Sequence, residues 1–182
     1  YKEWGDSMLK YCSIGSGSSG NCHYIGYKDT NILVDAGLSG KRITTGLDDI
    51  NVDMENIKGI FITHEHSDHI KGAGIISRKY DIPIFANVKT WCAMKDKLGD
   101  IKDSNMKVFE NDRSYSLGDL IIRPFSISHD ASDAVGYNFY AENEKMSIAT
   151  DIGMITDNIR RHLYKSKLSL IHISEPTRLR CI

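Results

Sequence analysis

A chain of 182 residues with 41% hydrophobic and 26% charged residues has room for one globular domain with a real core, and its composition excludes a disordered or low-complexity protein. The formal net charge of −1 arises from 23 basic and 24 acidic side chains scattered along the chain, so no basic block points to nucleic acid as a partner. No apolar run approaches the roughly 18 residues of a membrane span and no secretory leader is visible, so we expect neither a membrane span nor export.

The predicted elements change in kind along the chain, from a strand-rich start through α/β alternation to a second group of strands. In chain order the predictions are a strand at 8–14, a hairpin of strands 22–27 and 31–35, a helix at 39–50, a strand at 59–63, a helix at 69–80, a strand at 82–86, a helix at 88–98, a hairpin of strands 106–110 and 113–117, strands at 120–128, 135–141 and 145–150, and a helix that begins after Thr156 and includes 158–165. Central strands with interspersed helices predict a layered α/β or α+β sandwich.

Both ends of the chain carry sequence that we interpret as foreign to the domain. Residues 1–7, YKEWGDS, precede the first methionine, Met8, and we expect them to be upstream read-through. Residues 168–178, LSLIHISEPTR, are what one reading frame of a common transposase sequencing adapter encodes, so we expect 168–182 to be foreign, including His172 and Cys181. The predicted natural domain is therefore 8–167, with its C-terminal part truncated.

The cysteines indicate a compartment rather than a site. Cys12, Cys22, Cys92 and Cys181 form no C-x-x-C pair and no regular framework. This usage is typical of reduced thiols, so we expect a cytoplasmic protein.

The loop GSGSSGN at 15–21 contains Gly-x-Gly-x-x-Gly, and Asp35 follows at the spacing of the ribose-binding acid in dinucleotide-binding folds. That fingerprint requires a helix after the glycines, whereas a predicted hairpin follows here. We therefore expect no NAD or other dinucleotide. The loop is either a flexible turn between strands or part of an active site, and in the second case we expect Ser18, Ser19 or Asn21 to face the substrate cavity.

The segment THEHSDH at 63–69 follows an apolar strand and offers four metal ligands, His64, His66, Asp68 and His69. An acid at a helix N-terminus commonly caps the helix, which alone would explain Asp68. Three adjacent imidazoles have no such structural explanation, because a core has no need of so many desolvated rings. The segment therefore predicts a metal site.

His129 and Asp151 each follow a later predicted strand. Alone, each has an ordinary interpretation: a histidine after a strand is commonly surface or core, and an aspartate before glycine is commonly a turn residue. Ligands at strand ends are nevertheless typical of a site built along one edge of a sheet. We therefore carry both residues as candidate ligands.

Five stretches together resemble the YycJ/WalJ group of the metallo-β-lactamase superfamily, in that group's order. They are SGSSGN (16–21), ILVDAG (32–37), THEHSDHIKG (63–72), SISHDASDAVGY (126–137) and ATDIG (149–153). The resemblance implies a four-layered αβ/βα sandwich and two divalent metal ions. Mixed imidazole and carboxylate ligands suit Zn²⁺ or Mn²⁺.

The resemblance also implies a role for each candidate residue. It assigns His64, His66 and His129 to the first metal, Asp68, His69 and a bridging Asp151 to the second, and to Asp35 the task of holding a ligand imidazole in one tautomer. A late histidine of the second site would lie beyond Lys167, and we do not expect His162 to replace it.

The predicted chemistry is metal-dependent hydrolysis, since paired divalent ions activate water and Asp68 can orient that water or take its proton. The resemblance implies a phosphodiesterase, a 5′ to 3′ exonuclease acting on DNA. Lys71, Arg78 and Lys79 either contact phosphates or form a solvated helix face. Two alternatives stay open: a lactone, thioester or β-lactam hydrolase of the same fold, and an inactive truncated fragment that binds at most one metal.

Overall fold

The computed structural model describes residues 8–173, which form two β-sheets and five α-helices. The strands are β1 Lys10–Gly15, β2 Cys22–Tyr27, β3 Thr30–Val34, β4 Ile57–Phe61, β5 Ile84–Asn87, β6 Met106–Phe109, β7 Tyr115–Leu117, β8 Leu120–Ser126, β9 Val135–Ala141, β10 Glu144–Ile152 and β11 Leu168–Ile173. The helices are α1 Gly40–Asp48, α2 Ser67–Ile70, α3 Ala73–Tyr80, α4 Val88–Leu98 and α5 Asp157–Leu163, with short 3₁₀ turns at Met54–Asn56 and Asp103–Asn105.

The first sheet has the order β1-β2-β3-β4-β5-β6. Strands β1, β2 and β3 are antiparallel neighbours, and β3 to β6 are parallel. Parallel neighbours need a crossover connection, which the helices α1, α3 and α4 and their loops supply. The carboxyl ends of β3 and β4 consequently lie at the same edge of the sheet, where Val34 pairs with Phe61.

The second sheet has the order β11-β10-β9-β8-β7, antiparallel except for the parallel pair of β10 and β11. The predicted hairpin of 106–110 with 113–117 is wrong, because β6 pairs with β5 in the first sheet and β7 pairs with β8 in the second. The chain crosses between the sheets at this point, and the backbone N–H of Asp112, in a left-handed conformation at φ 62°, donates to the carbonyl of Pro124.

Three apolar cores separate four layers. One lies between the first sheet and its helices, where Ile43 and Trp91 pack with Ile60; the second lies between the sheets; the third lies under α5 around Ile159. Between the sheets Phe61 stacks on Phe85 with ring centroids 4.4 Å apart. Burying each such ring contributes about 1.5–3 kcal/mol. This is the expected αβ/βα sandwich.

The last strand, β11, consists of residues that the sequence marked as foreign. Leu168 to Ile171 pair in parallel with Met146 to Ala149 of β10. Pairing does not reveal where a sequence comes from, so the foreign origin of 168–182 stays a prediction. The same holds for residues 1–7, which, with 174–182 and Cys181, lie outside the described residues.

Candidate metal centre

The candidate ligands meet where β3, β4, β8 and β10 end. The motif segment after β4 lies against the turn after β3: Ala36 N–H donates to the carbonyl of His69 at 2.8 Å, and Gly72 N–H donates to the carbonyl of Ala36 at 2.7 Å. A Cβ atom on Gly37 would lie 1.6 Å from the carbonyl oxygen of Asp68, so only glycine permits this approach.

The close packing at this turn also corrects one predicted helix. The expected helix 69–80 is divided into α2 and α3 at Gly72, whose backbone bonds Ala36. A Cβ atom at Gly72 would lie 2.2 Å from the carbonyl oxygen of Leu38. The motif segment is therefore held as a separate short turn of helix.

His64, His66 and His129 form one group, named here the imidazole cluster. His64 Nε2 lies 3.1 Å from His66 Nδ1, and His129 Nε2 lies 3.2 Å and 3.3 Å from those two atoms. Three nitrogens on a tetrahedral ion at about 2.0–2.1 Å would lie about 3.3–3.4 Å apart. The geometry therefore fits one metal ion.

The protonation of the imidazole cluster favours a cation as well. Burial, followed by the nearby His69, lowers the pKa of His64 to about 3. Burial also lowers the pKa of His129. Both rings are neutral at pH 7 and can present a nitrogen lone pair, as metal binding requires.

A second group, named the carboxylate cluster, consists of His69 with Asp35, Asp68 and Asp151. His69 Nδ1 lies 2.7 Å from Asp35 Oδ2, and His69 Nε2 lies 2.9 Å from Asp151 Oδ2 and 3.6 Å from Asp68 Oδ2. Burial lowers the pKa of His69, but Asp35 and Asp151 outweigh it and raise the pKa to about 10. Although burial opposes it, His69 holds the pKa of Asp151 below its ordinary value.

One carboxylate oxygen in this cluster indicates a further occupant. Among residues 8–173, Asp151 Oδ2 is buried and has no partner in hydrogen-bonding geometry, in spite of its closeness to His69 Nε2. Such oxygens are rare unless an ion or water completes them. The donor atoms of His64, His69 and Asp151 all lie within 4.8 Å of one another, so this group also fits a metal ion.

The second group of candidate ligands differs in one residue from the set that the family resemblance implies. The compact second group contains His64 in place of the expected Asp68. Asp68 lies beside it, with its side chain 34% exposed, at the start of α2. The role of Asp68 as a ligand stays a prediction.

Asp35 is completely buried and accepts three hydrogen bonds. Its Oδ1 accepts from the backbone N–H of Thr63 at 2.8 Å, and its Oδ2 accepts from Thr63 Oγ1 at 2.8 Å and faces His69 Nδ1. With a proton on Nδ1, His69 presents Nε2 to the site. Sequence reasoning missed Thr63, which stands in the motif segment directly before His64 and gave no signal of its own.

In the glycine loop Asn21 is buried beside the carboxylate cluster. Its Nδ2 lies 3.0 Å from His69 Nε2 and 3.3 Å from Asp68 Oδ2, while its Oδ1 accepts from Gly17 N–H at 2.9 Å. The strand β2 follows the loop, as expected. Ser18 and Ser19 are exposed, so their contact with a substrate stays a prediction.

Four other candidate residues lie outside the two clusters. His162 stacks on Phe125 with ring centroids 4.4 Å apart, and its Nε2 lies 3.3 Å from Asp112. Arg78 donates to the carbonyl of Leu98 at 2.6 Å, which is a structural role at the end of α4. Lys79 lies over the ring of Tyr80, whereas Lys71 is exposed.

His172, which the sequence analysis set aside, lies near the carboxylate cluster. Its Nδ1 is 3.2 Å from Asp151 Oδ1, and its side chain is 58% exposed. Its donor atoms do not belong to either compact group of ligands within 8–173.

Comparison with known proteins agrees with this geometry. A family model described as the metallo-beta-lactamase superfamily matches residues 15–167. The chain belongs to the metallo-β-lactamase superfamily. The solved structure of Rm3 metallo-beta-lactamase, 13% identical, covers 91% of this chain and 75% of its own with a TM-score of 0.70, which shows the shared fold.

Within the metallo-β-lactamase superfamily two curated relatives place the chain in the YycJ/WalJ group. Exodeoxyribonuclease YycJ of Bacillus anthracis is 40% identical over 84% of this chain and 58% of its own length. Exodeoxyribonuclease WalJ of Streptococcus pneumoniae is 43% identical over 83% of this chain and 57% of its own length. The chain thus spans less than three-fifths of these relatives.

Within residues 8–173, none of the helices has the length and apolar character that a membrane span requires.

Proposed function

We propose that this chain forms the metal-binding part of a metal-dependent nuclease, a cytoplasmic 5′ to 3′ exonuclease that hydrolyses phosphodiester bonds of DNA. The observation that carries the proposal is the convergence of two ligand clusters in a chain 40–43% identical to two proteins named exodeoxyribonucleases. The proposed cofactors are two divalent ions, Zn²⁺ or Mn²⁺.

The imidazole cluster would hold the first ion, and His69, Asp151 and Asp68 the second. Such ions, when bound, would supply Lewis acidity and lower the pKa of water. Asp35 keeps the ring of His69 oriented through its bond to Nδ1. Asp68, whose side chain is 34% exposed, would orient the attacking water or take its proton.

The relatives also define the competing substrates. Ribonuclease J 1 of Streptococcus pyogenes is 25% identical over 72% of this chain, which makes RNA the nearest competitor to DNA. Lactone, thioester and β-lactam substrates need the same kind of metal site. A fold likeness to β-lactamases at 13% identity gives them no specific support.

The test compares substrates with one metal-loaded preparation. Duplex DNA labelled at the 5′ or the 3′ end, RNA of the same sequence, and a panel of lactone, thioester and β-lactam substrates are incubated with Zn²⁺ or Mn²⁺. We expect products released from the 5′ end of DNA. Hydrolysis of the ester panel without nuclease activity would overturn the proposal, and preferred hydrolysis of RNA would replace the substrate. His162→Asn is a matched control, since His162 lies outside both clusters.

Counting the retained ions tests the alternative of an inert fragment. After dialysis we expect this chain to retain the ion of the imidazole cluster more tightly than the second ion and to hydrolyse slowly, because the expected late ligand would lie beyond Lys167. Losing one ligand that contributes about 1.4 kcal/mol weakens binding tenfold. Two tightly held ions, with hydrolysis equal to that of a full-length enzyme, would show that no further ligand is needed.

A further inference from the structure

Glu65 lies between two residues of the imidazole cluster but bonds to a different part of the chain. Its Oε1 accepts from the backbone N–H of Ser132 at 2.8 Å and from Ser132 Oγ at 2.7 Å. Glu65 is 8% exposed, which is unusual for a carboxylate without a cationic side chain bonded to it.

Ser132 belongs to the loop that carries the third imidazole, His129. This loop makes a tight turn in which Ala131 N–H donates to the carbonyl of His129 at 2.9 Å. Before the turn, the carbonyl of Ser128 accepts from Gly153 N–H at 2.6 Å. After the turn, Ser132 is held by Glu65. The chain is therefore held both before and after His129. The hydrogen bonds after His129 come from Glu65, the residue between His64 and His66.

A neighbouring contact anchors Glu65 itself. Lys97 of α4 donates from Nζ to the backbone carbonyl of Glu65 at 3.2 Å. A further anchor of the loop, from Asn87 Nδ2 to the carbonyl of Asp133 at 2.8 Å, also comes from the start of α4. The loop therefore has a second support, which allows it to stay folded when the bond from Glu65 is removed.

We propose that Glu65 is a positioning residue: by accepting two hydrogen bonds from Ser132, it sets the distance of His129 from His64 and His66, and so the affinity of the imidazole cluster for its ion. This inference rests on the proposed metal binding. The described hydrogen bonds of the Glu65 side chain all go to Ser132, so the proposed action on the ion passes through the loop.

The test measures the affinity of the more tightly held ion by competition with a chelator, and the absorption spectrum of bound Co²⁺, which reports the ligand geometry. Glu65→Ala is expected to weaken binding by about tenfold to 100-fold, the range found when the partner of a metal ligand is removed. Glu65→Gln keeps an oxygen that can accept both bonds, so it is expected to restore the affinity and the Co²⁺ spectrum. Ser132→Ala removes one of the two bonds and should give a smaller loss.

Control variants separate this role from general destabilisation. Glu55→Ala removes an exposed glutamate outside the site and should change neither affinity nor spectrum. In the Glu65→Ala background, Ser132→Ala should cause no additional loss, because the two residues act through one contact.

Wild-type affinity and spectrum in folded Glu65→Ala would overturn the inference. If Glu65→Ala does not fold, wild-type affinity and spectrum in Ser132→Ala would overturn it. Failure of the wild-type chain to bind any ion would instead refute the proposed function.

Discussion

The imidazole cluster and the carboxylate cluster lie side by side in the candidate site, and His64 belongs to both compact groups of ligands, but the two clusters are held together in opposite ways. In the imidazole cluster, the buried ring of His64 and the partly buried ring of His129 have lowered pKa values, and their nitrogens lie 3.2 Å apart. In the carboxylate cluster, His69 lies between Asp35 and Asp151, and these carboxylates raise its pKa to about 10. The first cluster can accept a cation at neutral pH without losing a proton from His64 or His129. The second must release a proton from His69, so ion binding there competes with protonation.

The backbone conformations of the candidate site residues also differ between the two clusters. Asp35, directly after β3, and Asp151, where the pairing register of β10 with β11 shifts, both adopt left-handed conformations, with φ of 59° and 57°. Aspartate tolerates this region better than most residues, but it remains uncommon outside glycine. His66 has φ of −67° and ψ of 148°, an ordinary extended conformation. The carboxylates are therefore placed by unusual backbone geometry, whereas His66 is placed by a normal extended segment.

The largest expected effect follows from removing an imidazole. In a full-length enzyme of this group, His66→Ala is expected to abolish metal-dependent hydrolysis and to remove the tightly held ion, because two of three imidazole ligands leave a poor site. The measurements are DNA hydrolysis and ion content after dialysis, with His162→Asn as the control. Full hydrolysis by metal-loaded His66→Ala would contradict the assignment of the imidazole cluster.

Asp35→Asn is expected to have a smaller and more selective effect. An amide has only one accepting oxygen, so it cannot accept from the backbone N–H of Thr63, which bonds Oδ1, and also from His69 Nδ1, which faces Oδ2. The second ion should therefore bind about 10–100-fold more weakly. The first ion should keep its affinity. Chelator competition on both ions checks this, with Asp29→Asn as an exposed control in the β2–β3 turn. Equal weakening of both ions would show that the clusters are not independent.

The sequence predicted these clusters better than it predicted how they are held. The predicted strands 59–63, 120–128 and 145–150 end within two residues of the ends of β4, β8 and β10, and Thr156 is the N-cap of α5, as expected. Local patterns cannot tell which sheet a strand joins, and for that reason the hairpin of 106–110 with 113–117 was wrong. They also cannot show a bond such as that from Ser132 to Glu65, which joins residues far apart in the chain.

The dependence of stability on pH should distinguish the clusters in the metal-free chain. The pKa of His69 is raised from its ordinary value of 6.5 to about 10, so its stabilising contribution is complete below pH 6.5 and is lost as the pH rises toward 10. The pKa of His64 is lowered to about 3, so its contribution is lost as the pH falls from 6.5 toward 3.

Urea unfolding of the metal-free chain at a series of pH values measures how its free energy of unfolding depends on pH. We expect the free energy of unfolding to fall from pH 6.5 to pH 9, and this alkaline loss should be smaller in His69→Gln. Saturating Zn²⁺ should also reduce it, since an ion replaces the proton between His69 and Asp151. An alkaline loss of the same size in His69→Gln would assign the effect to other groups.

The smallest expected effect concerns Asn21, which bonds the carboxylate cluster through Nδ2 and accepts from Gly17 N–H through Oδ1. Asn21→Ala removes the contacts of Nδ2 with His69 and Asp68 but keeps the backbone bonds from Asn21 N–H to the Asp68 carbonyl and from Gly37 N–H to the Asn21 carbonyl. A net loss of about 0.5–1.5 kcal/mol for a hydrogen bond corresponds to about twofold to tenfold weaker binding of the second ion. The first ion should be unaffected, because Asn21 has no described bond to the imidazole cluster.

Ser18→Ala and Ser19→Ala are the matched controls for Asn21→Ala, since both serines are exposed in the same loop. Neither variant should change the affinity of either ion, as measured by chelator competition. If these serines face the substrate, the variants should raise the KM for DNA without changing ion content, which separates substrate contact from ligand support. A loss of the first ion in Asn21→Ala would show that the glycine loop supports both clusters. The imidazole cluster and the carboxylate cluster would then differ in their charge but not in their support by this loop.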